Sequence, residues 1–371
     1  MRNKSLNITK RMLIFVLFTA QAFGQKAAPF LAPDKCFLLS TDLHMHTVFS
    51  DGSVWPDIRI EEARREGIDL IAITDHLEYQ PHQKDIPHPD RNRSFELAQN
   101  SRIKGERLQV VNGAEITREM PPGHINAVFI ENANALLKKD SLSGILAANK
   151  QGAFVFWNHP TWDAQRPDGI ARLDPFHSYL IKKNLLHGIE VVNEVTFSEE
   201  ALSLALENDL TILGTSDIHG LTDWLFNIPQ GGHRPLTFVL AEDRSEQAIK
   251  KALFEGKTIV WFNDYIIGKQ KHVHAVLKAN LKAKAKGYGK ETTLFTVELS
   301  NFSAMPLKLE YQGKYSFYNH QKFIEIPANS SREIRVKTRD KKAKIALSFK
   351  VLNALIGPKE NAVLTFDLAT K

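Results

Sequence analysis

The sequence contains almost no cysteine and no long apolar run beyond its first 24 residues. Cys36 is the only cysteine among 371 residues, so no disulfide can form within the chain. A small disulfide-held scaffold is therefore excluded, and stability must come from a large hydrophobic core and perhaps bound metal. No later segment reaches the ~20 apolar residues that a membrane-spanning helix needs. We find no internal repeat and no long low-complexity tract, which argues against a repeat architecture.

The first residues have the pattern of a secretory signal peptide. Residues 1–11 contain four cations, the apolar stretch 13–20 follows, and Ala22 and Gly24 supply small residues for cleavage. The alternative is a membrane anchor, which the shortness of the apolar stretch disfavours. We therefore expect cleavage between Gly24 and Gln25 and export to the periplasm or the exterior.

Charge is divided unevenly along the chain, although the formal net charge is only +6. Residues 25–268 carry 24 Lys and Arg against 34 Asp and Glu, whereas residues 269–371 carry 20 against 8. This asymmetry indicates two regions with different roles. Because the larger region is acidic, we expect no nucleic-acid partner. The basic region would face either an anionic surface or solvent.

Two kinds of periodicity divide the chain. Between about residues 37 and 267, apolar strands alternate with helical segments, a pattern typical of a parallel sheet or an α/β barrel. After about residue 290, apolar and polar residues alternate between turns, which predicts a small antiparallel sandwich. The segment Lys282–Gly287 looks like a linker between the two. The predicted organisation is a signal peptide (1–24), an α/β domain (25–285) and a C-terminal β-rich accessory domain (286–371).

Polar side chains repeatedly follow the apolar strands of the α/β region. His44 and His46 come just after one strand and project to the same side, because side chains alternate along a strand. An isolated pair of this kind could simply be solvated or hydrogen-bonded. However, the carboxyl ends of barrel strands converge on one face, and further strands end at the following residues: His76, Glu115, His159, Asp217 and His219. Imidazole and carboxylate groups suit Zn²⁺, Mn²⁺ or Fe²⁺, so this face predicts a metal site.

The ordered set of motifs resembles the PHP (polymerase and histidinol phosphatase) family, and in particular secreted bacterial members with a C-terminal β-domain. The matching motifs are Asp42-Leu43-His44-Met45-His46-Thr47 with Ser50-Asp51-Gly52, Thr74-Asp75-His76, Gly113-Ala114-Glu115-Ile116, Gly123-His124-Ile125, Asn158-His159-Pro160 and Ser216-Asp217-Ile218-His219. The resemblance spans about residues 40–220. It implies a distorted (β/α)7 barrel with a site for three divalent metal ions, Mn, Zn or Fe.

The resemblance also implies a set of metal ligands. Carried over by matching motifs, the first ion would be held by His44, His46, Glu115 and Asp217; the second by Glu115 as a bridge with His124 and His159; and the third by Asp51, His76 and His219. Some family members carry a histidine near the position of Asp51. Nine ligands for three ions leave coordination positions open for water and substrate, as a catalytic site requires.

The expected reaction is hydrolysis of small phosphate esters by a metal-bridging hydroxide. Metal binding lowers the pKa of water to ~7, so a protein nucleophile is not needed. This agrees with the lack of a Ser or Cys nucleophile-elbow motif in the sequence. The resemblance favours phosphodiesters, with a phosphomonoesterase of the histidinol-phosphatase type as the alternative. Two readings of another class remain: a C-terminal module that binds envelope or carbohydrate and targets the enzyme, and a metal-binding protein without catalysis.

Other residues in the loops are weaker candidates for the site. Arg166 and Arg234 follow metal motifs and are predicted to clamp a phosphate group, the alternative for each being a surface arginine. His233 is predicted to protonate the leaving group, or else to be an ordinary loop histidine. Asn193 and Glu194 follow a strand on the same face, and we expect them to support the metal ligands.

Overall fold

The computed structural model describes residues 28–369. The predicted signal peptide lies outside this range. None of the helices in residues 28–369 combines the length and the apolarity needed to cross a bilayer.

The first domain alternates strands with helices along most of its length. Its strands are β1 (Phe37–Asp42), β2 (Leu70–Ile73), β3 (Gln109–Ile116), β4 (Ile125–Val128), β5 (Phe154–Trp157), β6 (Gly188–Asn193), β7 (Thr196–Phe197), β8 (Thr211–Thr215), β9 (Leu236–Ala241), β10 (Thr258–Phe262) and β11 (Tyr265–Gly268). Its helices are α1 (Pro56–Glu66), α2 (Arg93–Asn100), α3 (Ser141–Lys150), α4 (Pro175–Lys182), α5 (Glu199–Glu207), α6 (Thr222–Phe226), α7 (Glu246–Phe254) and α8 (Gln270–Asn280), with 3₁₀ turns at Ala133–Leu136 and Ile228–Gln230.

Local sequence signals set the ends of several helices. Helix α1 begins with Pro56, whose fixed φ suits the first helical position, and ends at Gly67 with a φ of 76°. The Asp140 side chain accepts a hydrogen bond from the Ser143 N–H at the start of α3. Ser198 caps α5 in the same way. Each such cap is worth about 1 kcal/mol relative to alanine.

The strands of the first domain form the predicted α/β barrel, although several of them run antiparallel to their neighbours. Parallel pairing joins β1 to β2, β2 to β3, β5 to β6 and β6 to β8. Strand β4 lies antiparallel between β3 and β5, and β9 lies antiparallel to β1. The Thr237 hydroxyl in β9 accepts a hydrogen bond from the Gly214 N–H in β8 and donates one to the Gly214 carbonyl, which completes the ring.

Apolar side chains from the strands fill the barrel and its helical cover. Leu39, Leu70, Phe154 and Leu213 belong to one buried cluster, and each is at most 1% exposed. Burial of each such side chain contributes roughly 1.5–3 kcal/mol. This core holds the strands in place, so the side chains at the strand ends project from a rigid base.

The second domain consists of two antiparallel sheets, as predicted. Its strands are β12 (Leu281–Tyr288), β13 (Leu294–Asn301), β14 (Leu307–Tyr311), β15 (Ser316–Tyr318), β16 (Phe323–Ile326), β17 (Ser330–Lys337), β18 (Lys344–Gly357) and β19 (Glu360–Ala369). One sheet has the order β12-β13-β17-β15, and the other contains β16, β14, β18 and β19. Alternate residues, such as Phe295, Val297 and Leu299 of β13, are buried between them.

The predicted linker Lys282–Gly287 is wrong, because this segment lies within β12 and pairs with β13. Its Lys-Ala alternation is a strand pattern: Lys282, Lys284 and Lys286 lie on the exposed face, and Ala283 and Ala285 pack against the core. Pairing with β13 outweighs the low strand propensity of lysine and alanine. The predicted boundary at 285/286 therefore falls inside a strand.

The two domains share a continuous sheet. Strand β11 of the barrel pairs in parallel with β18, with Ile266 opposite Ala354 and Ile267 opposite Leu355. Next to this junction, the Asn353 amide donates a hydrogen bond to the Asp264 carbonyl at 2.6 Å. Hydrogen bonding along the backbone therefore joins the domains directly.

Candidate metal centre

The nine predicted ligands meet at one end of the barrel. Most follow the carboxyl ends of parallel strands, but Glu115 is the penultimate residue of β3 and His124 precedes β4. Because β4 is antiparallel to β3, its amino end lies at the same edge as the carboxyl ends of its neighbours. The antiparallel direction of β4 therefore places His124 next to the other predicted ligands.

The first group of side chains surrounds the Asp217 carboxylate. Asp217 Oδ1 lies 3.1 Å from His44 Nε2 and 3.0 Å from His46 Nε2. Glu115 Oε1 lies 3.5 Å from His44 Nε2, and Glu115 Oε2 lies 3.5 Å from His46 Nε2. Four side chains of ligand type therefore converge on one small volume.

The second group is built on the other contacts of Glu115. Its Oε1 atom lies 3.1 Å from His124 Nδ1 and 3.5 Å from His159 Nε2. Its Oε2 atom lies 2.6 Å from His76 Nδ1. Glu115 thus touches histidines on several sides, as a bridging carboxylate would.

The third group is centred on Asp51. Asp51 Oδ2 lies 3.4 Å from His76 Nε2, and Asp51 Oδ1 lies 3.3 Å from His219 Nε2. His46 Nδ1 is also close to Asp51 Oδ1, at 3.6 Å. The structure therefore brings all nine predicted ligands into one cluster.

Two of these ligands sit in backbone conformations that side chains rarely adopt. His159 has a φ of 27° and Asp217 has a φ of 47°. Such positive values cost of order 1–3 kcal/mol each and persist only where surrounding structure imposes them. Here hydrogen bonds impose them: the His159 N–H donates to Glu190 Oε2 at 2.7 Å, and the Asp217 N–H donates to the His44 carbonyl at 2.9 Å.

The cluster is buried and strongly polarised. Burial opposes the ionisation of Asp217 and Glu115, but the surrounding histidines hold the pKa of both carboxyls well below the usual range. Burial and the neighbouring His76 lower the pKa of His46 to about 4. At neutral pH the metal-free cluster therefore holds ionised carboxylates and a neutral His46. Despite burial, the same carboxylates raise the pKa of His44 and His76, so a metal ion would have to displace protons from these two imidazoles.

The ligand atoms fit a bound cation. Asp51 Oδ1, Glu115 Oε2 and Asp217 Oδ1 are buried and accept no well-aligned hydrogen bond, although a histidine nitrogen lies within 3.3 Å of each. A buried carboxylate oxygen without a donor is costly unless a cation neutralises it. Three sets of side chains bring one donor atom each within 4.8 Å of one another: His46, Asp51, His76 and His219; His44, His46 and Glu115; and His76, Glu115 and His124. The residues present therefore suit divalent metal ions.

Side chains behind the ligands fix their orientation, and the most important of them, Glu190, is missing from our predictions. Glu190 Oε1 lies 2.8 Å from His44 Nδ1 and accepts a hydrogen bond from the Thr215 hydroxyl at 2.6 Å. The Asn193 amide donates to Glu190 Oε2 and to Asp217 Oδ2, which agrees with its expected supporting role. The sequence did contain a signal for this role, because Glu190 is the one charged residue in the apolar run Gly188–Val192.

The three loop residues predicted to act on the substrate lie elsewhere. The Arg234 guanidinium is fully buried and forms ion pairs with Asp42 at 2.9 Å and Glu66 at 2.6 Å, so it cannot clamp a phosphate group. Arg166 is also buried and pairs with Asp174. His233 stacks on Trp261 with ring centroids 3.5 Å apart. None of the three lines the cavity over the metal ligands.

The cluster opens into a cavity of about 200 Å³. Besides the ligands, its walls include Trp162, Asn193 and Glu194. Glu194 has a φ of 50°, and burial together with the nearby Asp217 raises the pKa of its carboxyl. Among the described residues, no lysine or arginine lines this cavity.

Comparisons with known proteins agree with this architecture. Residues 42–194 match the PHP domain model and residues 281–367 match an Ig-like domain model. A two-domain protein from Bacteroides vulgatus, described as containing a predicted PHP-like metal-dependent phosphoesterase, is 34% identical, with 93% of this chain and 99% of that chain covered and a TM-score of 0.86.

More distant structures share less of the fold. PsfC from Pseudomonas syringae is 16% identical over 65% of this chain and 96% of its own, with a TM-score of 0.42. A lesion-specific endonuclease from Pyrococcus furiosus is 17% identical over 69% of this chain and 64% of its own, with a TM-score of 0.39. No curated protein matches the chain. The ligand cluster, the barrel and the near full-length match together establish that this chain belongs to the PHP-domain family, in a two-domain form with a C-terminal Ig-like domain.

Proposed function

We propose that this protein is an exported, metal-dependent phosphoesterase that prefers phosphodiesters. The observation that carries the proposal is the cluster of nine ligand-type side chains, in which three buried carboxylate oxygens face histidine nitrogens without a well-aligned hydrogen bond. The description of the Bacteroides vulgatus protein as containing a predicted metal-dependent phosphoesterase supports the same reaction class. The signal-peptide pattern supports export.

The proposed ligand sets remain those of the sequence assignment. His44, His46, Glu115 and Asp217 would hold one ion; Glu115, His124 and His159 a second; and Asp51, His76 and His219 a third. When bound, Mn, Zn or Fe ions supply a water molecule of lowered pKa and neutralise charge on the phosphoryl oxygens.

The protein itself contributes orientation and a dry environment. Glu190 and Asn193 hold His44 and Asp217 from behind, so the ligand atoms need little reorganisation when metal binds. Ser50 and Asp75 support His46 through a hydrogen-bonded chain: His46 Nδ1 lies 3.2 Å from Ser50 Oγ, which donates to Asp75 Oδ1 at 2.7 Å. Burial of these groups strengthens every electrostatic interaction in the site.

Two features favour a diester over a monoester. A phosphomonoester carries a dianionic group that proteins usually bind with Arg or Lys, whereas no such residue lines the cavity among those described. A diester also needs space for groups on both sides of phosphorus. A cleft of about 360 Å³ shares His124 and Trp162 with the cavity, and a groove of about 710 Å³ shares Glu194 with it.

The direct test compares two substrates with the same chromophore. The purified protein, supplied with Mn²⁺, Zn²⁺ or Fe²⁺, should hydrolyse bis-p-nitrophenyl phosphate faster than p-nitrophenyl phosphate. Asp217→Ala should abolish both activities, whereas Asp340→Ala, on an exposed residue of the Ig-like domain, should not change them. Exclusive turnover of the monoester would favour the histidinol-phosphatase type of reaction. No turnover of either ester with metal bound would favour a non-catalytic metal-binding protein.

A targeting role for the Ig-like domain is a second candidate. Lys282, Lys284 and Lys286 project from one face of β12, and Arg335 and Lys337 are exposed on β17 of the same sheet. This face would suit an anionic envelope polysaccharide. The test is retention of the full chain on such a polymer. Lys282→Glu with Lys284→Glu should abolish retention without changing turnover, and equal retention of this variant would contradict the role.

A further inference from the structure

A cleft lies beside the metal centre. Its walls include Thr117, Arg118, Glu119, Trp162 and Gln165, and it encloses about 360 Å³. It shares Trp162 and His124 with the metal-site cavity. A group attached to a phosphate at the metal centre could therefore enter the cleft directly.

The most prominent apolar surface of the cleft is the indole of Trp162. Its ring centroid lies 5.4 Å from that of His124 and 5.2 Å from that of His159, with interplanar angles of 57° and 73°. These tilted contacts fix the indole beside two metal ligands, yet the residue stays 43% exposed. An exposed tryptophan at this position offers a stacking surface.

The loop that carries Trp162 is held firmly. The Trp162 N–H donates to the His159 carbonyl at 2.9 Å, and the Trp162 carbonyl accepts from the N–H groups of Gln165 and Arg166. The buried ion pair of Arg166 with Asp174 anchors the end of this turn. Arg166 thus helps to hold the turn that carries Trp162.

Polar groups form most of the rest of the lining. The Gln165 amide donates to the Arg118 carbonyl at 2.9 Å, and the Arg118 guanidinium pairs with Glu78 at 2.7 Å. The neighbouring Glu119 is exposed. A volume of this size beside an apolar indole face can hold a single ring system.

We propose that this cleft binds an aromatic ring carried by one ester group of the substrate, through stacking on Trp162. This assignment rests on the proposed phosphoesterase function for its biological meaning, but not for the binding itself. A nucleoside base and a simple aryl group share the required planar ring, so both are candidate sources.

Calorimetric titration of the full chain with adenosine, 4-nitrophenol and methyl glucoside tests the assignment. We expect ring binding that Trp162→Ala weakens at least about fivefold, as loss of base–aromatic stacking predicts, and that Trp162→Phe largely restores. Trp224→Ala, at a tryptophan that is 76% exposed and outside the cleft, should leave affinity unchanged. Binding of adenosine alone identifies a nucleoside site, and binding of both rings identifies a general aryl site.

The result that overturns the proposal is equal ring affinity in the Trp162→Ala and unmodified proteins, absence of ring binding, or binding of methyl glucoside alone. Titration of the Asp217→Ala protein separates this site from the reaction. Ring binding by a protein with no esterase activity would leave the cleft assignment standing while the proposed function fails. Esterase activity without ring binding would support the proposed function and overturn the cleft assignment.

Discussion

Glu190 Oε1 lies 2.8 Å from Nδ1 of His44, while Nε2 of the same ring lies 3.1 Å from Asp217 Oδ1. The carboxylate therefore fixes which nitrogen of His44 faces the metal site. Glu190→Gln should lower metal affinity about 10- to 100-fold, as loss of such supporting carboxylates typically does. Competition with a chromogenic chelator measures this change, with Glu131→Gln, at an exposed position, as the matched control. An unchanged metal affinity would mean that Glu190 contributes only to packing and hydrogen bonding inside the barrel.

Removal of metal should destabilise the protein. A ligand that binds only the folded state at 100 times its Kd contributes about 2.7 kcal/mol. Calorimetry with and without a chelator should therefore show a Tm lower by several degrees in the metal-free protein. The shift should shrink in Asp217→Ala, which lacks a central ligand. Identical Tm values in the unmodified protein under both conditions would contradict metal binding.

Arg234 should matter for stability and not for the reaction. Arg234→Met leaves Asp42 and Glu66 without their buried partner, which should cost about 3–5 kcal/mol of the free energy of unfolding. Denaturant unfolding measures this cost. Arg65→Met, which breaks an exposed pair with Asp223, should cost at most about 1 kcal/mol. Loss of turnover in Arg234→Met with unchanged stability would restore the phosphate-clamp hypothesis.

Deletion of the Ig-like domain should compromise the barrel. A chain ending at residue 280 would expose the edge of β11 that pairs with β18. An uncovered sheet edge promotes aggregation. We expect the truncated protein to elute as aggregates in size-exclusion chromatography, whereas a full chain with Lys282, Lys284 and Lys286 replaced by glutamine should elute as the unmodified protein does. A well-behaved truncated protein would show that β18 contributes little to the barrel.

The convergence of these histidines and carboxylates could be predicted from the sequence because the relevant signals are local. His44 and His46 follow an apolar strand at a two-residue spacing, so strand geometry alone places both rings on one side. Glu190 was harder to find, because it lies inside β6 and its role depends on a contact with His44, 146 residues away.

The errors come from properties that local patterns do not encode. Nothing in the sequence near Arg234 reveals that its partners are Asp42 and Glu66, 192 and 168 residues distant. The direction of β4 was similarly hidden, because an apolar run looks the same in a parallel and an antiparallel strand. The strand β12 resembled a linker because lysine and alanine rarely dominate strands.

Glu115 stands apart from the other ligands because its two oxygens contact histidines from several strand ends at once. A substitution at Asp51 or His219, at the edge of the cluster, would disturb only the group of side chains around Asp51. Nearby side chains or water could then take over the lost contacts. A change at Glu115 would remove contacts to several histidines at once, and no single second substitution could restore them all. During natural or laboratory evolution toward new metals or substrates, we therefore expect residues at the edge of the site to change first and Glu115 to change last.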